Sequence, residues 1–230
     1  TNTSPLPLAL LSEGLLRPNR LCGLHFFHPV HGMPLVEVVR GEHTAPEALA
    51  TVLGLAQRLG KSPVVVRDGP GFLVNRILAA YLQAFQALVT HGANPYAVDA
   101  AMEAWGWPMG PARLCDAMGL DVVIKAGQVL ARAFPDRMGA GMDSAMDADI
   151  ASDIASEMAS DTAAPGDDSP VSKLVAARRL GEKSGAGFYR YTPGRGGRAT
   201  ATRDPDLATV LPGGTIPEVE AIQQRLMLAM

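Results

Sequence analysis

Cysteine is nearly absent from this sequence: Cys22 and Cys115 are its two copies in 230 residues. They lie far apart and in no Cys-x-x-Cys or zinc spacing, which excludes a disulfide framework and a cysteine-built zinc centre. Both read as small buried hydrophobes of a protein kept in a reducing compartment. An excess of positive charge is also missing. Twenty Lys and Arg stand against 23 Asp and Glu, a formal charge of −3, so no basic field marks a nucleic-acid partner. No run approaches the roughly 20 apolar residues a membrane-spanning helix needs. The opening, Thr1 to Pro7, has no basic region of a signal peptide and no initiating methionine, and the chain stops in mid-pattern at Leu226-Met227-Leu228-Ala229-Met230. A piece of a longer chain is expected.

What is present is ordinary globular composition, 47% hydrophobic and 19% charged, long enough to bury a real core in one or two domains. Leu21 to Phe27 is a short apolar run between Arg20 and Pro29 and predicts a buried strand. Leu35 to Val39 predicts a second strand. Thr44 followed by Glu47 has the capping-box spacing and predicts a helix to about Leu59, before Gly60. Ser62 to Arg67, with three valines in succession, predicts a third strand. Strand, strand, helix, strand is part of an α/β sheet.

From Gly69 the period becomes helical. Gly71 to His91 is apolar on most faces and predicts an enclosed helix ended by Gly92. Asn94-Pro95 sets an N-cap with proline in the first turn, and that helix ends near Trp105-Gly106. Pro111 opens a helix, or a broken pair, reaching Phe134. Ser169-Pro170 begins another that runs to Leu180 and Gly181. Thr215-Ile216-Pro217-Glu218 has a capping-box start for a last helix. Gly139 to Asp168 holds eight acidic residues, no basic one and a four-residue repeat. It predicts a solvated surface insertion, because a period of four drifts around a 3.6-residue helix. Thr192 to Arg203, rich in Gly and Arg, reads as a linker.

The densest chemistry lies in His25-Phe26-Phe27-His28-Pro29-Val30-His31, followed by Glu37. Open α/β sheets place ligands beyond strand ends, where His25 falls. A carboxylate on the neighbouring strand fixes the imidazole tautomer and raises its basicity, as proton transfer with an alcohol requires. The same pair is equally suited to a purely structural hydrogen bond. His25, His28 and His31 at spacing three invite a metal, but Pro29 opposes the helix that would gather them and no Cys or Asp completes a set. No metal is expected.

Several blocks now share one pattern. Gly23-Leu24-His25-Phe26-Phe27-His28-Pro29-Val30 and Met33-Pro34-Leu35-Val36-Glu37-Val38-Val39 resemble the signature of the 3-hydroxyacyl-CoA dehydrogenase family. So do Asp68-Gly69-Pro70-Gly71-Phe72-Leu73-Val74-Asn75-Arg76; Pro108-Met109-Gly110-Pro111 with Leu114, Asp116 and Gly119-Leu120-Asp121; and Lys183-Ser184-Gly185-Ala186-Gly187-Phe188-Tyr189. The blocks stand in the family's order from Thr1 to about Tyr191. The resemblance implies an α/β plus all-α fold: the C-terminal part of a Rossmann-like NAD-binding domain, then a helical domain. The expected boundaries are 1–68, without its N-terminal βαβ unit; 69–192, carrying the insertion 139–168; and 193–230, a linker and the start of a second helical domain.

The implied activity is oxidation of (S)-3-hydroxyacyl-CoA to 3-oxoacyl-CoA with NAD. His25 corresponds to the acid/base and Glu37 to its carboxylate partner. Ser4 and Asn75 correspond to substrate contacts; Asn2, Ser4, His28 and Lys183 correspond to cofactor contacts. Small hydroxyl and amide donors suit a developing oxyanion because they add no charge, although Ser4 and Asn75 would serve equally as a turn cap and a helix-start contact. Two departures stand out. His28 replaces the family's usual asparagine, and the glycine-rich dinucleotide fingerprint is missing, so its βαβ unit is expected before Thr1. Pro217 to Met230 resembles the start of the duplicated helical domain of multifunctional fatty-acid oxidation enzymes, which carry an enoyl-CoA hydratase module upstream. The resemblance implies a homodimer, or a β-oxidation complex with a thiolase, in a bacterial-type cytoplasm. The alternative is a truncated, non-catalytic acyl-CoA-binding or dimerisation module of the same family.

Overall fold

The structure is a computed structural model that describes residues 1–2, 6–135, 168–194 and 199–230. The chain forms two compact units: 1–76 with 129–160, and 77–128 with 161–230. The acidic insertion lies outside the described residues, apart from Asp168, which pairs with Lys173 at 2.9 Å.

The first unit is built on a three-stranded sheet in the order β1-β2-β3. Strand β1 is Gly23–Phe26, β2 is Leu35–Arg40 and β3 is Ser62–Arg67. β1 and β2 are antiparallel; β2 and β3 are parallel, joined through helix α2, Pro46–Arg58. β2 is the central strand, and Val36, Glu37, Val38 and Val39 are fully buried on it. Burial on both faces explains why its sequence is nearly continuous in apolar residues rather than alternating. Gly23 faces Val39, where a Cβ would come within 2.7 Å of the valine side chain, so only glycine lets these strands close here. A short helix, α1 (Leu8–Ser12), lays Leu8 into a small cluster with Val39, Val66 and Phe72. The Asp68 carboxylate, just past β3, accepts from the Leu8 N–H at 2.7 Å.

Thr44 does not cap α2. Its hydroxyl donates to the Leu21 carbonyl at 2.7 Å and accepts from the Gly41 N–H at 3.0 Å, while Ala45 is the cap residue and Pro46 the first of the helix. A buried hydroxyl that can satisfy two backbone groups stabilises the fold more there than at an exposed helix start.

The second unit is helical. It contains most of α3 (Val74–Thr90), then α4 (Pro95–Trp105), α5 (Pro111–Met118) and most of α6 (Leu120–Ala133). The Asn94 side chain caps α4 as its sequence predicts, accepting from Tyr96 and Ala97 N–H groups. α5 and α6 are the broken pair, parted at Gly119, whose φ is +91°. Helix α7 (Pro170–Ala176) stops short of the expected Leu180 because Arg178 takes a left-handed φ of +58°. The unit's core joins Phe85, Met102, Leu120, Leu174 and Phe188.

Part of the expected linker is a strand. β4 (Tyr189–Thr192) and β5 (Thr200–Arg203) form an antiparallel pair, followed by α8 (Leu207–Val210). Alternating Thr-Ala-Thr-Arg was legible as a strand, but the glycines ahead of it masked the signal. The last helix, α9, is Val219–Ala229, and Thr215 is not its cap. Thr215 instead bridges to Ala93, and its hydroxyl donates to the Gly92 carbonyl at 2.7 Å. Ile222 and Leu226 of α9 are buried in the same core as α4.

Candidate active site

His25 and Glu37 are direct partners in the β1–β2 register. Antiparallel pairing puts opposed residues on one face with their Cβ atoms close, so two hairpin strands suffice to bring imidazole to carboxylate. Nδ1 of His25 lies 2.8 Å from Oε2 of Glu37. The histidine side chain is 12% exposed and the glutamate 1%, so the imidazole alone of the two reaches toward solvent. A carboxylate can only accept, which places the neutral ring's proton on Nδ1 and leaves Nε2 as the base.

The other glutamate oxygen has its own partners. Oε1 accepts from the backbone N–H of Leu73 at 3.0 Å and of Val74 at 2.9 Å. These are donors at the N-terminus of α3, which has no earlier turn to satisfy them. Burial opposes the charge on Glu37, but the hydrogen bonds from His25, Val74 and Leu73 outweigh it. Together they hold the carboxyl below the ordinary glutamate value. Aromatic edges set the imidazole plane, with Phe27 at 4.9 Å and Phe72 at 5.5 Å between ring centroids. α3 starts at Val74, not Gly71, because Gly71 and Phe72 have left-handed φ of +70° and +45°. That turn delivers both the Glu37 donors and the Phe72 ring. The turn's one signal in the sequence is the Gly-Pro-Gly-Phe run ahead of a helix with no Ser, Thr, Asp or Asn at its start.

Asn2 lies beside the carboxyl end of β1, its side-chain oxygen accepting from the Phe26 N–H at 2.9 Å. His28 is exposed in the turn after β1, where its peptide bond to Pro29 is cis. Asn75 is half-buried in the first turn of α3, directly after the Glu37 donors. Ser4 lies outside the described residues. Lys183 belongs to the second unit, where its ammonium meets both oxygens of Asp121 at 2.5 and 2.6 Å. Among the described residues no three His, Cys, Asp or Glu are gathered as metal ligands, and no helix is long and apolar enough to cross a membrane.

A His–carboxylate pair across two strands of a mixed sheet is thus followed by a helical unit. Residues 1–69 match the family model for the NAD-binding domain of 3-hydroxyacyl-CoA dehydrogenase, and residues 71–148 match the model for its C-terminal domain. The chain belongs to the 3-hydroxyacyl-CoA dehydrogenase family, an oxidoreductase family whose cofactor is NAD. It is 40% identical, over its whole length, to the fatty acid oxidation complex subunit alpha of Acinetobacter baumannii. It is 41% identical over 92% of its length to that of Pseudomonas aeruginosa. The chain spans 29% and 26% of those relatives. Among solved structures, the 3-hydroxybutyryl-CoA dehydrogenase of Escherichia coli superposes with a TM-score of 0.65 at 33% identity. That match covers 83% of this chain and 35% of the other. The (S)-3-hydroxybutyryl-CoA dehydrogenase of Ralstonia eutropha gives 0.66 at 34%, covering 83% and 59%.

Proposed function

We propose that this chain carries the proton-transfer machinery for NAD-dependent oxidation of (S)-3-hydroxyacyl-CoA to 3-oxoacyl-CoA. The observation that carries this reading is the His25 Nδ1 to Glu37 Oε2 hydrogen bond at 2.8 Å, on an imidazole that keeps some exposure. A secondary alcohol is a poor acid, so its oxidation needs a base within hydrogen-bond reach. Nε2 of His25 takes the 3-hydroxyl proton while the C3 hydrogen leaves as hydride. The imidazolium so formed is balanced by Glu37, whose own charge is spread over two backbone N–H groups.

The residues at this sheet end suit NAD in their chemistry. Asn2 and His28 bring amide and imidazole polar groups to the carboxyl end of β1, the side on which α/β sheets take ligands. Ser4 and Lys183 complete the proposed contacts. NAD, when bound, supplies the hydride acceptor; the chain's part is to orient the alcohol and hold its proton. Asn75, and again Ser4, are proposed to hydrogen-bond the substrate oxygen as charge develops on it.

The relatives' names support a place for the whole protein in a fatty acid oxidation complex. There it is proposed to work in the cytoplasm, as a homodimer or beside a thiolase, with an enoyl-CoA hydratase module in the same polypeptide. The proposed domains are 1–68, 69–192 and 193–230.

The test is His25→Gln in the protein expressed from its complete reading frame, assayed by NADH formation from 3-hydroxyacyl-CoA. kcat is expected to fall by about 10²–10⁴ with acyl-CoA binding retained, as for removal of a general base. Undiminished turnover would refute the role, and an inactive parent that still binds acyl-CoA would favour the non-catalytic module.

A further inference from the structure

The left-handed turn ahead of α3 is a costly conformation. Phe72, at φ +45° and 4% exposed, is a bulky residue in a backbone region that side chains bearing a Cβ rarely adopt. Such a turn persists only where its surroundings hold it. Burial of the Phe72 ring with Leu8, Val39 and Val66 holds one side. The other side is held by Arg76. Its Nε donates to the Pro70 carbonyl at 2.9 Å, reaching back across the turn from the first turn of α3. The guanidinium occupies the space above Gly69, where a Cβ would fall 2.6 Å from one of its nitrogens. Its central carbon lies 4.7 Å from the centre of the Phe134 ring. A planar, five-donor group held at its edge by a carbonyl and on its face by an aromatic ring is a rigid clamp, a task lysine's rotatable ammonium cannot reproduce.

We propose that Arg76 is a positioning residue of the dyad: by locking the Gly69–Phe72 turn it aims the Leu73 and Val74 N–H groups at Glu37, which in turn orients His25. The inference rests on the dyad reading given above. It also explains the Gly-Pro-Gly run. Gly69 leaves room for the guanidinium, Pro70 presents the carbonyl, and Gly71 supplies the left-handed φ.

The test uses the ¹⁵N-labelled chain. In the parent, the amide proton shifts of Leu73 and Val74 titrate with Glu37, because a carboxylate pulls them downfield. In Arg76→Gln that excursion shrinks, and both amides exchange about tenfold faster while those of Val36 and Val38 keep their rates, the pattern of a local opening. The His25 Nδ1–H tautomer, read from its ring nitrogen shifts, moves part of the way toward that of Glu37→Gln. Arg76→Lys, which keeps the charge and most of the stem, shows a smaller loss and decides the matter if Arg76→Gln does not fold. Parent-like excursions and exchange in both folded variants overturn the proposal. A His25 tautomer unmoved in Glu37→Gln overturns the dyad reading itself, which the Arg76 variants leave untouched.

Discussion

Glu37 shows how one side chain is made to serve two neighbours. Its Oε2 receives the His25 proton donor and its Oε1 receives two main-chain N–H groups, so each oxygen has a separate duty. An ionised carboxylate fully removed from solvent is otherwise expensive, and hydrogen bonding to the charged form is what offsets the cost. The consequence is a pH dependence of fixed sign. With the folded carboxyl below its ordinary value, the unfolded chain binds a proton more readily as the solution is acidified. The stabilisation from Glu37 is therefore complete above the unfolded glutamate value of about 4.3. It is lost as pH falls through the lower, folded value. Urea unfolding of the sheet, followed by β2 amide signals between pH 6 and pH 3, should show this loss in the parent. It should be much reduced in Glu37→Gln. A parent profile as flat as the variant's would count against the charged, doubly held carboxylate.

At the scale of elements, the opposite sign governs the junction of α4, α5 and β4. Asp116 on α5 accepts from the Phe188 and Tyr189 N–H groups, each at 2.9 Å, and from the Tyr191 hydroxyl at 3.0 Å. Asp99 on α4 accepts from Ala112 and Arg113 N–H groups and from the Tyr189 hydroxyl. The two carboxylates tie β4 to both helices, and Gly187 is glycine because Asp116 fills the space a Cβ would need. Here burial wins over the donors and raises Asp116 to about 6 and Asp99 to about 7. The folded state then holds protons that the unfolded state has released above about 3.9. Stability of this unit should fall as pH rises from 4 to 7 and level off beyond. Trp107, stacked on Tyr81 at 4.8 Å, reports it: the urea midpoint of tryptophan emission is expected to drop across that window. A rising midpoint would contradict the assignment.

The same elements show what the sequence could and could not disclose. β3 is legible to its residue, α4 with its cap, and the α5–α6 break as one of two alternatives, because each rests on local signals: valines in succession, Asn-Pro, a glycine. His25 and Glu37 were readable as candidates for the same reason, each lying on a legible strand. The Thr44 and Thr215 caps failed because each hydroxyl is taken by backbone distant in sequence, at Leu21 and Gly92. The Leu73 and Val74 donors went unseen since a main-chain N–H has no letter of its own. Asp116 and Asp99 were invisible as a pair because Tyr189, which joins them, is far away in the chain.

At the scale of the chain, the described residues of the two units are unequally furnished with apolar burial. The helical unit gathers a broad core in which Tyr81, Phe85, Met102, Leu120 and Phe188 are fully enclosed. Among the described residues the sheet unit shows a small cluster of Leu8, Val39, Val66 and Phe72, and in this chain Val64 and Val65 of β3 and Leu59 beyond α2 stand between 40% and 54% exposed. Burial contributes about 25 cal/mol for each Å² of apolar surface removed from water, so the helical unit has the greater reserve. Unfolding free energies in one chain can then differ from region to region. Both tryptophans, Trp105 and Trp107, fall in the helical unit, which makes their emission blind to the sheet. At pH 7, the β2 and β3 amide signals should be lost at lower urea than the tryptophan emission changes. Glu37→Gln should move the amide transition and leave the tryptophan one in place. Coincident transitions that shift together would mean the chain unfolds as one cooperative body.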